Sequence, residues 1–290
     1  MKKIIVSGAN GNIGRKLVKR LSYNPEYEVI AIVRDKKKCN IEQIKQVEWI
    51  DIEEFSEREL KNEDIYCAVH LAFARANCTN EQIASSIIFS KKFFEKISGA
   101  NLKKVIYVSS QGVYGEIPEI RSVDMAPQPN STYAMAKFGV EQLFDVFFSG
   151  MSHASIIRLD NVIQSQRMPK LLCNQIKTCG TINLVGGKQF FSYIDIDDAV
   201  RAIDMLVSCN DDWKPIYNVG IDKTRYTLLE ISDILEQIAS KYGYTVSKIY
   251  EQKDIKLFSG METVEFMNDT GWKPEKNIYQ MLEKLFLEGN

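Results

Sequence analysis

The chain has 290 residues, of which 45% are hydrophobic and 26% charged, so it can bury a sizeable core and has the composition of an ordinary globular protein. Its formal net charge of −1 argues against nucleic acid as the main partner, because such partners usually demand a strongly basic face. Its cysteines form no Cys-x-x-Cys pair and it has only two histidines, so we expect no metal site. No apolar run has the length of a membrane span or of a signal-peptide core, so we expect a cytoplasmic protein without a membrane partner.

Short apolar runs alternate with amphipathic stretches through the first half of the chain. Compact apolar runs predict buried strands, and apolar residues that recur on one helical face predict helices. The predicted strands are Lys3–Ser7, Glu28–Val33, Val47–Ile50, Ile65–Leu71, Lys104–Ser109 and Ser155–Leu159, and the predicted helices are Asn12–Leu21, Thr79–Ser98 and Ser131–Phe148. This alternation predicts an α/β fold in which a parallel sheet is covered by helices on both faces.

The alternation loosens after Asp160. A helix over Asp195–Val207 and a strand over Ile216–Val219 could extend the first sheet, whereas Leu228–Tyr242 predicts a helix among short strands. The two kinds of segment therefore interleave along the chain, and we expect two parts separated by a cleft.

The first predicted strand runs into a glycine-rich turn that opens the first predicted helix. Glycine permits a tight turn, the close approach of a pyrophosphate and close packing of helix on sheet, and the helix N-terminus supplies free N–H groups. The strand–turn–helix setting predicts that a dinucleotide cofactor binds at Gly8, Asn10, Gly11, Asn12, Ile13 and Gly14.

The end of the second predicted strand bears on the choice between NAD and NADP. Arg34 could pair with the 2′-phosphate of NADP, whereas an acidic residue such as Asp35 would bind the ribose hydroxyls of NAD. A surface loop of alternating charges explains both residues nearly as well. The cofactor is thus predicted as NAD or NADP, with NADP slightly favoured by Arg34.

Tyr133 and Lys137 stand four residues apart in a predicted helix and therefore on one face of it. A free tyrosine titrates near ~10, and a nearby lysine and an oxidised nicotinamide should both lower that pKa. Tyr133 could then take a proton from a substrate hydroxyl or return one. The same spacing also arises by chance on exposed helices, so it needs a partner.

That partner is a pair of serines, Ser109 and Ser110, at the end of the fifth predicted strand. Ligands of parallel sheets bind outside the carboxyl ends of the strands. Ser110 could therefore hydrogen-bond the reacting oxygen and position it for Tyr133, although a plain serine-rich turn would explain each serine separately.

In order and spacing, these segments resemble the extended short-chain dehydrogenases of the NAD-dependent epimerase/dehydratase family, with UDP-sugar 4-epimerases as the type. Residues 158–162, 191–199, 217–220 and 271–274 resemble its later blocks. The resemblance implies a Rossmann-type doubly wound parallel sheet formed by residues 1–160 and 193–220, which holds NAD(P). It also implies a smaller α+β part, residues 161–192 and 221–290, that binds a nucleotide sugar.

The resemblance also implies roles for individual residues. Ser110, Tyr133 and Lys137 would be catalytic, and Ser110, Gln111, Tyr133 and Asn161 would bind the substrate. Asp51 and Ile52 would lie near the adenine, Leu71 and Ala72 beneath the cofactor, and Ser109, Tyr133 and Lys137 would also contact it. Relatives often dimerise through the helix that carries the tyrosine. A homodimer is compatible with the apolar Phe138, Phe144, Phe147 and Phe148, although core packing explains most of these residues equally well.

Four departures limit this transfer. Gln111 and Gly112 stand where 4,6-dehydratases of the family place acids, which argues against dehydration. Ile163-Gln164-Ser165 replaces a Tyr-Gly-Pro segment, Gln189-Phe190 replaces an arginine that grips a diphosphate, and Ser86 replaces an asparagine of a proton relay.

Three hypotheses follow: a sugar-nucleotide 4-epimerase with a transient 4-keto intermediate, an NADPH-dependent 4-ketoreductase, and a non-catalytic NAD(P) sensor. The Ser110–Tyr133–Lys137 set favours an enzyme over a sensor, since a sensor has no need of a phenolate.

Overall fold

The computed structural model describes residues 1–39 and 44–288. Its strands in chain order are β1 Lys2–Ser7, β2 Tyr27–Val33, β3 Val47–Asp51, β4 Asp64–Ile65, β5 Cys67–His70, β6 Asn101–Leu102, β7 Val105–Ser110, β8 Ala154–Leu159, β9 Thr181–Val185, β10 Phe190–Phe191, β11 Ile216–Val219, β12 Tyr226–Thr227 and β13 Ser247–Glu251. Its α-helices are α1 Asn12–Leu21, α2 Ile52–Glu57, α3 Asn80–Ser98, α4 Thr132–Phe148, α5 Arg167–Cys179, α6 Ile196–Ser208, α7 Leu228–Lys241, α8 Val264–Thr270 and α9 Ile278–Glu288. No helix within these described ranges is both long enough and apolar enough to cross a membrane.

Seven strands form one parallel sheet in the order β11-β8-β7-β5-β1-β2-β3. The strand order reverses between β1 and β5, as in Rossmann-type sheets, whose ligands bind outside the carboxyl ends of the strands at this point. The prediction of a doubly wound parallel sheet is confirmed, and β11 extends that sheet as expected. The carboxyl ends of these seven parallel strands lie on the same side of the sheet, and we call this side the carboxyl edge.

Two apolar layers cover the sheet. On one face, α1 and α6 bury side chains such as Leu17 and Ile203, and on the other, α3 and α4 bury a phenylalanine cluster that includes Phe93 and Phe144. This burial explains why the helices predicted by periodicity form where they do, since an apolar face must pack on something.

A third apolar cluster joins α5, α7 and α9. Trp272, from the segment predicted to belong to the smaller part, packs instead in the layer of α1 and α6, and its Nε1 donates to the Asp198 carbonyl at 3.2 Å. The division of the chain into two parts stays a prediction.

Two local features differ from the sequence prediction. The strand predicted over Ile65–Leu71 is split, because Ile65 pairs with Leu102 in a separate two-stranded sheet while only Cys67–His70 joins the main one. The short helix α2 was not predicted. It is held by a capping box in which Asp51 and Glu54 each accept the other's backbone N–H, a local signal without apolar periodicity.

Candidate active site

The glycine-rich turn lies at the carboxyl edge, where the strand order reverses. Gly8 has a φ of +71°, and a Cβ added to it would lie 2.7 Å from the Ala72 nitrogen. A Cβ on Gly14 would lie 2.2 Å from the Gly8 carbonyl oxygen. The turn is therefore closed to larger residues, and it lies against the segment that follows β5, where Leu71 and Ala72 were predicted to lie beneath a cofactor.

The N-terminus of α1 opens from this turn. No side chain among the described residues caps it, and its N-cap is Gly11. Asn12 Nδ2 donates to Ser165 Oγ at 3.3 Å, across the edge from β8, and the Asn10 side chain accepts from Arg15 Nε at 2.7 Å. Uncapped N–H groups beside a glycine cradle fit the phosphates of a dinucleotide.

The ends of β2 and β3 lie farther along the same edge. Arg34 is exposed and forms no ion pair within the described part of the chain. The Asp35 carboxylate, in contrast, accepts from the Lys37 nitrogen and from Lys38 Nζ, each at 3.0 Å, and the pKa of Asp35 is lowered by the Lys38 contact. Asp51 caps α2, with Ile52 as its first residue. The Asp35 and Asp51 carboxylates are therefore hydrogen-bonded to protein groups, whereas Arg34 is exposed.

Lys137 is buried on α4, one turn after Tyr133. Its Nζ donates to the Val108 carbonyl at 2.8 Å and lies 4.4 Å from the centre of the Phe73 ring and 4.9 Å from that of Tyr107. Burial lowers the pKa of Lys137 to about 7, although the charge of Glu141 acts in the opposite direction.

Tyr133 is half-buried, and its ring meets Phe73 edge-on at 5.9 Å. Burial raises the pKa of Tyr133 to about 12, and the neighbouring Ser110 hydroxyl only partly offsets this. Without a cofactor the pKa of the phenol is thus raised, because desolvation of the phenolate dominates while the Lys137 ammonium donates to the Val108 carbonyl. The expected lowering by Lys137 together with an oxidised nicotinamide stays a prediction.

The turn after β7 packs against the first turn of α4. Ser110 Oγ accepts from the Gly112 nitrogen at 3.2 Å, and a Cβ added to Gly112 would lie 3.5 Å from that oxygen and 3.8 Å from Ala134 Cβ. Ser109 is buried, and its hydroxyl has no hydrogen-bond partner in the part of the chain that the structure describes. The structure thus brings Ser110, Tyr133 and Lys137 together at the carboxyl edge.

Gln111 and Asn161 lie beside this set but are engaged with protein groups. The buried Gln111 amide donates to the Asp160 carboxylate, and the Asn161 side chain donates to the Ser192 carbonyl at 3.3 Å. Sequence reasoning missed Asp160, which is buried and whose pKa is raised to about 6 by desolvation. Its side-chain partners Gln111 and Ser192 are distant in the chain, so no spacing pattern marks Asp160 as part of the site.

Two polar residues near the site, His70 and Ser86, form hydrogen bonds with other protein groups. His70 lies between the hydroxyls of Ser7, at 2.6 Å, and Ser90, at 2.8 Å, and burial lowers its pKa well below the usual range. Ser86 accepts from the Ala74 nitrogen and donates to the Gln82 carbonyl, each at 2.9 Å. The Ser86 hydroxyl therefore bonds to two backbone groups in the structure.

Comparison with known proteins agrees with this geometry. The model of the NAD-dependent epimerase/dehydratase family matches residues 4–220. An ADP-L-glycero-D-manno-heptose-6-epimerase from Cupriavidus pinatubonensis (strain JMP 134 / LMG 1197) is 28% identical over 248 residues, which cover 77% of this chain and 74% of that protein. A dTDP-D-glucose 4,6-dehydratase from Dictyostelium discoideum is 26% identical over 77% of this chain and 59% of its own.

Two solved structures share the fold across nearly the whole chain. A UDP-glucuronic acid 4-epimerase from Bacillus cereus in complex with NAD superposes with a TM-score of 0.81 at 22% identity, covering 99% of this chain and 96% of the other. A UDP-glucose 4-epimerase from Thermotoga maritima with UDP-glucose has a TM-score of 0.82 at 21% identity, covering 98% and 97%. At these identities the likeness establishes the fold.

Proposed function

The chain belongs to the NAD-dependent epimerase/dehydratase family, and we propose that it is a sugar-nucleotide epimerase of the 4-epimerase type. In this reaction the C4 hydroxyl of the sugar becomes a ketone for a moment and is then re-formed on the other face. The observation that carries the proposal is the convergence of Ser110, Tyr133 and Lys137 beside the glycine turn, with no acid at positions 111 and 112.

Each of the three residues has a distinct part in this chemistry. NAD or NADP, when bound, would supply the hydride acceptor and a positive charge that favours the phenolate. Ser110 donates a hydrogen bond to the reacting oxygen, and Tyr133 Oη takes the hydroxyl proton and later returns it. Lys137, with a pKa of about 7, can hold or release a proton at neutral pH, while the rings of Phe73 and Tyr107 keep water from it.

The relatives include epimerases and a 4,6-dehydratase, so the residues beside Ser110 carry the choice of epimerisation over dehydration. The Cupriavidus relative is named an epimerase, as are the Bacillus and Thermotoga proteins that share the fold. Elimination of water needs an acid and a base beside the catalytic hydroxyl. Gln111 and Gly112 supply neither.

The test is turnover of paired 4-epimers. The purified protein is incubated separately with UDP-glucose, UDP-galactose, UDP-glucuronic acid and the corresponding dTDP sugars, and the anomeric proton signals are followed by NMR. We expect interconversion without net consumption of cofactor, and a loss of about 10²–10⁴-fold for Tyr133→Phe with cofactor binding retained. The exposed Tyr250→Phe serves as the matched control. No interconversion of any pair would contradict the proposal.

The second candidate is an NADPH-dependent 4-ketoreductase, and exposed Arg34 is the observation that favours it. Arg34, at the end of β2, forms no ion pair with the residues at 1–39 and 44–288, and the neighbouring Asp35 carboxylate already accepts from Lys37 and Lys38. Such a guanidinium suits a 2′-phosphate. The discriminating measurement is stoichiometric oxidation of NADPH by a 4-keto sugar nucleotide. Arg34→Ala should weaken NADPH binding more than NADH binding, whereas Arg20→Ala, in the last turn of α1, should affect neither. Equal losses for both cofactors would remove the reason for NADP.

A further inference from the structure

Asp160 carries a buried carboxylate that is surrounded by four separate segments of the chain. It directly follows β8, and only 3% of it is exposed. Its Oδ1 accepts from the Asn161 nitrogen at 2.7 Å and from Gln111 Nε2, and its Oδ2 accepts from Ser192 Oγ. All three partners are donors toward the carboxylate, so the arrangement suits the ionised form, which is a pure acceptor.

The Gln111 side chain carries this network to the catalytic turn. Its Nε2 donates to Asp160, while its Oε1 accepts from Arg121 Nη1 and from the Gly260 nitrogen, each at 3.4 Å. Because both ends of the amide are engaged, its orientation is determined, and its backbone directly follows Ser110. The position of Ser110 is thus one residue away from the Asp160 contact.

On the other side, the network reaches the segment before α6. Ser192 donates through Oγ to Asp160, its nitrogen donates to Ser259 Oγ at 2.6 Å, and its carbonyl accepts from the Asn161 side chain. The carboxylate therefore braces Asn161 twice, once at its backbone and once through Ser192. Gly220 also packs here, since a Cβ on it would lie 2.9 Å from Asp160 Oδ2.

Opposing effects act on the pKa of Asp160. Desolvation raises its pKa to about 6, while the Arg121 guanidinium and the three donors favour the anion. Tyr193, next to Ser192, is a further ionisable group that interacts with it, and the pKa of Tyr193 is raised mainly by burial and in part by this carboxylate. Near neutral pH the carboxylate is ionised and bonded to all three donors. Protonation at lower pH puts a donor where the network needs an acceptor.

We propose that Asp160 is a positioning residue whose ionised carboxylate, acting through Gln111 and Ser192, holds Ser110 and Asn161 in place for the sugar nucleotide. This role rests on the proposed function of the same site. It differs from general support of the fold, because it predicts that substrate handling depends on the charge of one buried group that touches neither substrate nor cofactor.

The test compares wild type with Asp160→Asn, which keeps the shape and removes the charge. In wild type, kcat/KM should rise with pH through about 6. In Asp160→Asn, we expect this acidic limb to disappear and kcat/KM at pH 7.5 to fall by about 10–100-fold, because an amide N–H₂ now faces a donor. Cofactor affinity should change less than about twofold. Asp204→Asn is the control, because this carboxylate of α6 pairs with Arg20 on α1 and not with the Asp160 network, and it should keep the wild-type profile.

A milder variant guards against loss of folding. Ser192→Ala removes one donor and leaves the carboxylate, so the acidic limb should move to higher pH. Titration calorimetry of UDP-glucose and UDP-glucuronic acid at pH 5.5 and 7.5 provides a readout without turnover. Binding that weakens at pH 5.5 in wild type but not in Asp160→Asn supports the role even if no epimer forms, in which case only the proposed reaction fails. An acidic limb or a binding loss that is the same in Asp160→Asn, or no binding of either sugar nucleotide, overturns the inference.

Discussion

The buried Glu141–Arg158 ion pair allows the effect of one substitution on the free energy of unfolding to be predicted. It joins β8 to α4, the helix that carries Tyr133 and Lys137. Glu141 lies on α4 one turn after Lys137, and Arg158 lies on β8. Their side chains are only 1% and 3% exposed. Arg158 Nη2 donates to Glu141 at 2.7 Å and Nε at 3.2 Å, while the guanidinium also covers the Tyr114 ring at 4.7 Å.

Glu141→Ala removes the carboxylate and leaves a guanidinium buried and unpaired. Breaking a buried pair in this way costs about 3–5 kcal/mol, because the remaining charge keeps its desolvation penalty. At about 2–4 °C per kcal/mol for a chain of this size, the melting temperature should fall by roughly 6–20 °C. The measurement is urea and thermal unfolding followed by circular dichroism.

Two controls separate charge from packing. Glu95→Ala removes an exposed pair with Lys91 on α3 and should change stability by no more than about 0.5 kcal/mol. The double variant Glu141→Leu/Arg158→Met replaces the pair by apolar groups and should recover most of the loss. A loss below about 1 kcal/mol for Glu141→Ala, or a double variant as unstable as the single one, would refute the reasoning.

Glu141→Gln adds a second readout at the site. The Glu141 charge raises the pKa of Lys137 against burial, so its removal should lower that pKa further below about 7. Any limb of the pH–rate profile that reports Lys137 should move to lower pH. A limb at the wild-type position would mean that it belongs to another group.

Two further predictions concern the cofactor turn and Lys137. Gly14→Ala forces a Cβ to within 2.2 Å of the Gly8 carbonyl and should abolish NAD(P) binding in a fluorescence titration, whereas Gly139→Ala, with open space in α4, should stabilise by about 0.5–1 kcal/mol. Retained cofactor binding in Gly14→Ala would count against the cradle. Lys137→Met should abolish turnover yet raise stability by about 3–5 kcal/mol at pH 6, because the folded-state pKa of Lys137 is depressed from 10.5 to about 7. Its advantage should shrink as pH rises from 7 toward 10.5, where wild type recovers stability, and equal gains in urea unfolding at pH 6 and pH 9 would contradict this.

The features that the sequence predicted correctly are local or periodic. The bounds of α1 follow from the apolar face of Leu17 and its neighbours, and the common face of Tyr133 and Lys137 follows from the helical period. Gly8 and Gly14 followed from the strand–turn–helix context, because close backbone approach excludes a Cβ whatever lies around it. The sheet with helices on both faces followed from alternation.

Protonation and pairing were decided only by tertiary structure. The sequence suggested a phenol activated by Lys137. In the structure, burial raises the pKa of Tyr133 to about 12, and the Lys137 ammonium donates to the Val108 carbonyl. Asp160 meets Gln111 across 49 residues of chain and could not be found from spacing. The sequence by itself therefore determined which backbone geometry forms and which side chains share a face. Desolvation and hydrogen-bond partners depend on segments far apart in the chain, so the charges within the site exist only once the fold has brought those segments together.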